Sequence, residues 1–259
     1  MTISKNIFVL AAGLAVLPAS YAFSRQSIGR CAEYSQPQAH VHVVKIDLNC
    51  KQVKLTGTPE GLGLMTTTEF ARRAAVDVAV NGNFYAPDAS ARPYGLIVTD
   101  GKHWPDTKDS KHHAYFACDS ENRCSIETND TISKVDPAWM TVLTGSQIYE
   151  NGSFQCAPSA PVGCRINNAI PTHPRTAYGL DANAEHLYLV AVEGRLVDYP
   201  GMTLGELSAL FRRLHITRGV NMDGGGSTSL VIHGQRVNAL PENQLIERPV
   251  VNHLGFRLQ

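Results

Sequence analysis

The sequence lacks most of the features that mark specialised protein classes. Among its 259 residues no apolar run is long enough to span a bilayer, and the mean hydropathy is −0.14, which excludes a polytopic membrane protein. Basic and acidic residues number 23 each and form no basic run, so we expect no nucleic-acid partner. Heptads and repeats of solenoid period are also absent. What remains is a globular chain long enough to bury a sizeable core.

The first residues have the features of an export signal. A short apolar run, Ile7–Leu17, ends at Pro18, and the small residue Ala22 stands where a signal peptidase cleaves. We therefore predict a signal peptide over residues 1–22 and a single mature domain over residues 23–259. The mature protein is then periplasmic or secreted, with no membrane insertion after cleavage. An uncleaved membrane anchor is the alternative.

The cysteine content agrees with export. Six cysteines allow many connectivities, but their spacing favours pairing in sequence order. Zinc would need closely spaced cysteine pairs or nearby histidines, which the sequence lacks, so disulfides are favoured over metal. The predicted disulfides are Cys31–Cys50, Cys118–Cys124 and Cys156–Cys164.

Short alternating segments and two helix starts predict the fold class. The segment 40–48 alternates as a strand does, and 52–55 is expected to pair with it. Thr66 and Thr203 each precede a glutamate by three residues, a pattern that opens helices. The stretch 138–170 is rich in Gly, Ser, Pro and Asn and is predicted to be mostly loop. Together these features predict an α+β fold: a mixed, largely antiparallel β-sheet core with a few flanking helices and disulfide-stapled loops.

Three polar segments follow or open predicted strands, where binding sites are commonly built. They are Asn81–Tyr85, Thr172–Thr176 and Asn221–Ser229. The third places Asp223 before three glycines, which let a backbone approach a ligand closely. Taken singly, each segment also has an ordinary interpretation: an amide-rich turn, a surface salt bridge or a flexible hairpin turn. A fourth segment, 247–252, adds a further acid and arginine near the C-terminus.

The order of these segments resembles the phosphodiester glycosidase family, whose animal member uncovers mannose 6-phosphate on lysosomal enzymes. The resemblance runs from about residue 40 to the C-terminus and is strongest near the C-terminus. The segments that carry it are Ala79–Tyr85, Tyr94–Ile97, His173–Asp181, Leu187–Val190, Gly194–Arg195, Gly201–Leu204, Asn221–Ser229 and Glu247–Asn252.

The resemblance implies an exported glycosidase that hydrolyses the C1–O bond of a sugar 1-phosphodiester in a glycan or envelope polymer. Such chemistry needs anion binding and stabilisation of an oxocarbenium-like centre. Asp223, Glu247 and His173 are the candidate catalytic residues. The candidate phosphate- and substrate-binding residues are Arg175, Arg248, Asn81, Asn83, Asn221, Gly224, Gly225, Gly226 and Ser227.

No metal or other cofactor is expected, although plentiful oxygen ligands leave Ca²⁺ open as an alternative. The expected partner is a sugar phosphate or another anionic glycan, and the sequence sets no oligomeric state. Two other functions stay open. One is a non-catalytic protein that binds anionic glycans or assists exopolysaccharide assembly. The other is a disulfide-rich inhibitor or structural envelope protein.

Overall fold

The structure is a computed structural model that describes residues 25–105, 107, 114–128, 136–155 and 171–258. The predicted signal peptide and the predicted disulfide between Cys156 and Cys164 lie outside these residues. Within them, no helix has both the length and the apolar character needed to cross a membrane.

Short strands dominate the described part of the chain, together with two α-helices and a 3₁₀ turn at Gly225–Ser227. The helices are α1 (Thr67–Ala74) and α2 (Leu204–Arg213). The strands are β1 (Arg25–Ser27), β2 (Ala32–Gln38), β3 (Val41–Asp47), β4 (Lys54–Gly57), β5 (Val78–Asn81), β6 (Val98–Thr99), β7 (Lys102–His103), β8 (Ala114–Asp119), β9 (Cys124–Thr128), β10 (Trp139–Gly145), β11 (Gln147–Glu150), β12 (Ser153–Gln155), β13 (Arg175–Leu180), β14 (His186–Val192), β15 (Arg218–Asn221), β16 (Leu230–Ile232), β17 (Gln235–Arg236) and β18 (His253–Arg257).

These strands form three sheets. The largest has the order β1-β2-β3-β14-β13-β15-β11-β12, and the two smaller sheets have the orders β7-β6-β10-β8-β9 and β17-β16-β5-β18-β4. All the strand pairs that the structure describes are antiparallel. The predicted α+β class with a largely antiparallel core is therefore confirmed.

Both helices begin where the sequence predicts. Thr66 caps α1 by accepting a hydrogen bond from the Glu69 N–H at 3.0 Å. Thr203 caps α2 in a full capping box, because Glu206 also accepts a hydrogen bond from the Thr203 N–H. The apolar face of α2, which includes Leu207 and Leu210, is fully buried.

The largest sheet lies between two apolar layers. Val44 and Ile46 of β3 point into a core shared with the two smaller sheets, whereas Val41 and Val43 of the same strand pack in the cluster that includes α2. This alternation follows from the two-residue period of a strand. The main core therefore sits between the sheets, and α2 covers the opposite face.

Two local predictions were wrong. The strand at 54–57 (β4) was expected to pair with β3. It pairs instead with β18, which lies near the C-terminal end of the chain. The stretch 138–170, predicted to be mostly loop, contains β10, β11 and β12 in its first half. Residues 141–149 are buried throughout. Gly145 and Ser146 therefore lie in a buried bend, where the chain passes from β10 in one sheet to β11 in another, and not in a surface loop.

Two of the predicted disulfides are present. Cys31–Cys50 joins its residues at a Cα–Cα distance of 5.9 Å and ties β2 to the turn after β3. Cys118–Cys124 closes the β8–β9 hairpin at a Cα–Cα distance of 4.1 Å. Disulfide-stapled loops are thus confirmed for these two pairs.

Candidate active site

Four strand ends meet at one pocket. Antiparallel pairing places Arg175, at the start of β13, opposite Val192 at the end of β14, and Ala177 of β13 opposite Asn221 at the end of β15. The end of β5 joins them through the Tyr178 hydroxyl, which donates to the Asn81 carbonyl at 2.7 Å. The resulting pocket has a volume of about 240 Å³. Its lining residues are Phe84, His173, Pro174, Arg175, Arg195, Asn221, Met222, Asp223, Gly224, Gly225, Gly226 and Arg248.

Asp223 is held in this pocket by its own backbone. Its N–H donates to the Gly82 carbonyl at 3.2 Å, and its carbonyl accepts from the Asn81 side-chain amide at 2.7 Å. The residue therefore has a fixed position between the end of β15 and the turn that follows β5. This leaves the carboxyl group as the part that faces the pocket.

The surroundings of Asp223 favour its protonated form. Burial raises the pKa of this carboxyl from 3.8 to about 6. The nearby Ser227 hydroxyl, the charges of Arg248 and Arg195 and the Gly224 N–H partly oppose that rise. Asp223 thus titrates close to neutrality, which is a common property of catalytic carboxyl groups.

Two of the three glycines allow a guanidinium group to pack against the turn that follows Asp223. A Cβ on Gly226 would lie 2.5 Å from the Arg248 Nη2 and 2.6 Å from the Gln244 Oε1. Gly225 has a φ of +60°, and a Cβ there would lie 2.8 Å from the Arg195 Nη2. Only glycine fits both positions without moving the arginines. The glycine turn therefore serves as a contact surface for two cations.

Gly224, Gly225, Gly226 and Ser227 were predicted to bind phosphate or substrate, and their backbone N–H groups are the donors that could do so. The Gly225 N–H donates to the Pro174 carbonyl at 2.9 Å, and the Ser227 N–H donates to the Gly224 carbonyl at 3.1 Å. The Gly224 N–H lies against the Asp223 carboxylate. Most of these donors are thus used within the protein, so anion binding falls to the arginine side chains.

Arg175 lines the pocket, but its guanidinium also has a structural role. Its Nε donates to the Met202 carbonyl and its Nη2 to the Pro171 carbonyl, each at 3.0 Å. Burial lowers the pKa of Arg175 to about 10. Arg175 was predicted to bind phosphate together with Arg248; the structure shows that part of its guanidinium already donates to backbone carbonyls.

Asn81 and Asn83, predicted to bind sugar hydroxyls, are buried and bonded to the protein. The Asn81 Oδ1 accepts from the Thr176 hydroxyl at 2.7 Å, and the Asn83 amide donates to the Tyr94 carbonyl at 2.9 Å. Asn252 further fixes Asn83, since its Nδ2 donates to the Asn83 Oδ1 at 3.0 Å. These two asparagines hold the turn after β5 in place and do not line the pocket.

Asn221 and His173 do line the pocket. The Asn221 Nδ2 donates to the Gln147 Oε1 at 2.8 Å, whereas its buried Oδ1 has no hydrogen-bond partner among the described residues. Burial, followed by the charges of Arg175 and Arg195, lowers the pKa of His173 below its ordinary value. Asn221 therefore offers an acceptor for a ligand hydroxyl, and His173 offers a neutral imidazole.

Glu247, predicted as a second carboxylate of the site, lies elsewhere. Its Oε1 accepts from the Ser229 hydroxyl at 2.6 Å and from the Thr68 N–H in the first turn of α1 at 3.3 Å. It is absent from the described lining of the pocket. A negative charge near a helix N-terminus stabilises the helix, so we assign Glu247 a structural role at the start of α1.

Arg195, Phe84 and Tyr85 lie in segments that the sequence singled out, but these three were not predicted as site residues. Arg195 follows the end of β14, and because β14 pairs with β13, that end lies beside the start of the strand that carries Arg175. Tyr85 lies near Asp223 and Arg248, and its pKa is raised chiefly by burial and then by the Asp223 charge. A prediction that β13 pairs with β14 would have been enough to place Arg195 at the site.

Glu193 anchors the loop that carries Arg195. Its two carboxylate oxygens lie 2.8 Å from the His40 Nδ1 and the His42 Nε2, and it accepts from the Ala239 N–H at 2.6 Å. These interactions, opposed by burial, lower the pKa of Glu193 to about 2. An ionised Glu193 therefore fixes the loop between β14 and α2. In the described part of the chain, no cluster of three or more His, Cys, Asp or Glu is arranged to hold a metal ion.

Comparisons with known proteins agree with the geometry. A family model described as phosphodiester glycosidase matches residues 74–257. The N-acetylglucosamine-1-phosphodiester alpha-N-acetylglucosaminidases of Mus musculus and Bos taurus are 22% and 25% identical to this chain over 180 and 182 residues, which is 65% of this chain in both cases. The aligned region spans about a third of the length of each relative, 34% and 33%.

A solved structure shares the fold. The catalytic domain of the zebrafish N-acetylglucosamine-1-phosphodiester alpha-N-acetylglucosaminidase, auto-inhibited by its pro-peptide, superposes with a TM-score of 0.68 at 19% identity. The match covers 92% of this chain and 82% of that chain. Because the family model covers well over half of its residues, this chain belongs to the phosphodiester glycosidase family.

Proposed function

We propose that this protein is an exported hydrolase that cleaves the C1–O bond of a sugar 1-phosphodiester. The observation that carries the proposal is the pairing of Asp223 with Arg195 and Arg248 in one pocket. The cations suit a phosphodiester, and the carboxyl group titrates near neutrality. Membership of the family agrees with this chemistry.

The charge arrangement favours catalysis over simple binding of an anion. A protein that only bound phosphate would gain nothing from a carboxylate beside the anion, because the two negative charges repel. A glycosidase needs such a carboxylate close to C1, where positive charge develops in the transition state. In this pocket Asp223 is that carboxylate, and the positive charges of Arg195 and Arg248 offset its repulsion of the phosphate.

A single carboxylate in the pocket is sufficient for this bond. Most glycosidases use a second carboxyl group to protonate a poor leaving group. Here the leaving group is a phosphate monoester, which departs as a stable anion and needs little protonation. The position of Glu247 outside the pocket is therefore compatible with the proposed reaction.

In the proposed reaction, the C1–O bond breaks and its electron pair leaves with the phosphate. Ionised Asp223 either takes a proton from water as that water attacks C1, or attacks C1 first and is displaced by water afterwards. Both routes give a sugar with a free C1 hydroxyl and a phosphate monoester. We assign the binding of a sugar hydroxyl to Asn221, which lines the pocket and whose Oδ1 has no partner among the described residues, and Phe84 offers an apolar surface to the sugar ring.

Export to the periplasm or the medium is part of the proposal. Its support is the pair of disulfides, which persist in oxidising compartments, together with the signal-like first residues. The substrate is then a glycan or envelope polymer that carries sugar 1-phosphodiester links.

The test is a screen of the purified mature protein against glycosyl 1-phosphodiesters of defined sugar and anomer. We expect release of reducing sugar from at least one substrate, and no release by the Asp223→Asn variant. A matched control is Asp119→Asn, since Asp119 lies on the β8–β9 hairpin and bonds to Arg123 of the same hairpin. Tight binding of these diesters without turnover by the wild-type protein would favour the non-catalytic glycan-binding function.

A further inference from the structure

Three exposed apolar side chains stand on the two loops that carry the arginines of the pocket. Within the described part of the chain, Val197, Leu245 and Ile246 are the most exposed of the large hydrophobic residues, at 87%, 95% and 75%. Val197 is two residues from Arg195, and Ile246 is two residues from Arg248. Exposed apolar groups gathered on binding loops commonly contact a ligand or partner.

Hydrogen bonds join the two loops into one rim. The Glu242 N–H donates to the Arg195 carbonyl at 3.2 Å, and the Val197 N–H donates to the Glu242 Oε1 at 2.9 Å. Gln244 connects this rim to the pocket, because its Nε2 donates to the Gly226 carbonyl at 3.2 Å and to the Ile246 carbonyl at 2.9 Å. The apolar side chains and the glycine turn are thus parts of one connected structure.

From this arrangement, and on the basis of the proposed function, we propose that the phosphate of the substrate is esterified to an apolar alcohol. The substrate class is a glycosyl 1-phosphodiester of a lipid alcohol, and Val197, Leu245 and Ile246 form the subsite for its hydrocarbon chain. Arg195 and Arg248, to which we assign the phosphate, lie on the same two loops as these apolar side chains, so an apolar second ester group would have a matching surface beside the phosphate.

A lipid alcohol in the substrate does not change which bonds form and break in the proposed reaction. By either route given above, the C1–O bond breaks with its electron pair on the phosphate, C1 of the sugar receives the hydroxyl of water, and the remaining proton of that water is released to solvent. The products are a reducing sugar and a lipid phosphate monoester. The hydrocarbon chain takes no part in bond breaking, so its contribution is to binding. It lowers KM and leaves kcat nearly unchanged.

The test compares two substrates with the same sugar and different alcohols, a methyl and an octyl glycosyl phosphodiester, both below the concentration at which the octyl compound forms micelles. Each buried methylene contributes about 0.8 kcal/mol, so partial burial of the octyl chain is expected to lower KM by at least about tenfold. In the variant Val197→Ser/Leu245→Ser/Ile246→Ser this preference should disappear, while KM for the methyl compound stays within about twofold of the wild-type value.

The variant is expected to fold, because the three side chains are exposed and make little contribution to the core. Met140→Ser is the matched control. Met140 is also an exposed apolar residue, but it lies on β10, which is not in the same sheet as β14. Its replacement should therefore leave the octyl preference intact.

Several outcomes would overturn the inference. Equal KM values for the methyl and octyl compounds in the wild-type protein would show that no apolar subsite exists, while the proposed function would stand. An octyl preference that persists in the triple variant would place the subsite elsewhere. Binding to anionic vesicles that contain no substrate, without any octyl preference, would make the rim a membrane-contact surface instead. Failure to hydrolyse either compound would refute the proposed function itself and the inference with it.

Discussion

Replacement of Asp223 by asparagine is expected to stabilise the folded protein above pH 6 while it removes most turnover. Burial raises the pKa of Asp223 from 3.8 to about 6. A shift of about 2 pH units corresponds to about 3 kcal/mol, at 1.36 kcal/mol for each unit. This is the free energy that ionisation of Asp223 takes from the folded state at neutral pH. Asparagine has nearly the same shape and does not ionise.

The pH dependence follows from the direction of the shift. Because the folded pKa lies above the unfolded one, the protonated carboxyl stabilises the folded state fully below about pH 3.8. That contribution is lost as the pH rises through about 6. Asparagine has no such dependence. The free energy of unfolding of Asp223→Asn, relative to the wild type, should therefore increase by about 2–3 kcal/mol between pH 4 and pH 8.

Urea unfolding of both proteins at pH 4 and pH 8 measures this difference. Any change in packing or hydrogen bonding caused by the amide is common to both pH values and cancels. Kinetics on the same proteins should show that the variant loses most turnover yet binds inorganic phosphate at least as well, because a negative charge has been removed. A stability difference that does not change between pH 4 and pH 8 would refute the perturbed environment that we assign to Asp223.

Three further predictions concern the arginines, the glycine turn and the loop before α2. Arg248→Ala should raise KM and the inhibition constant of inorganic phosphate by roughly tenfold or more, since a charged hydrogen bond contributes about 1.5–3 kcal/mol. Arg175→Ala should mainly lower the free energy of unfolding, because the Met202 and Pro171 carbonyls each lose a hydrogen bond from the guanidinium, and urea unfolding of the two variants separates these effects. Gly226→Ala should weaken phosphate binding, as its Cβ would displace the Arg248 guanidinium. Gly205→Ala should not, because its Cβ would make only an ordinary contact, 3.7 Å from the Thr203 Oγ1; isothermal titration with phosphate distinguishes the two variants. In the wild type the stability that comes from Glu193 is present above about pH 4.5 and is lost as the pH falls towards 2, so acid unfolding of Glu193→Gln should lack this loss.

Local signals in the sequence predicted the local structure well. The threonine caps of α1 and α2 and the alternation in β3 depend on neighbours within a few residues, and the structure confirms all three. The partner of β4 could not be predicted in this way. Its pairing with β18 joins segments at opposite ends of the chain, and no local pattern encodes that contact.

For the candidate site, too, the sequence predicted local features but not the contacts between distant residues. The sequence singled out the segments that contain Asp223, His173 and Arg248, and the structure brings these three residues to one pocket. The individual contacts of each side chain were not predictable. Whether Arg175 faces a ligand or a backbone carbonyl depends on the packing of the segment around Met202, and whether Asn81 faces the pocket depends on Thr176. Residue types indicated the chemistry, but tertiary packing decided which of them reach the pocket.

The central claim, that water attacks C1 of a sugar 1-phosphodiester, is tested most directly by hydrolysis in water enriched in ¹⁸O. Mass spectrometry of the two products shows which bond has broken. If the C1–O bond is cleaved, the label is found in the sugar and is absent from the phosphate monoester. Label in the phosphate monoester would show that the P–O bond is cleaved instead, and it would contradict the role that we propose for Asp223.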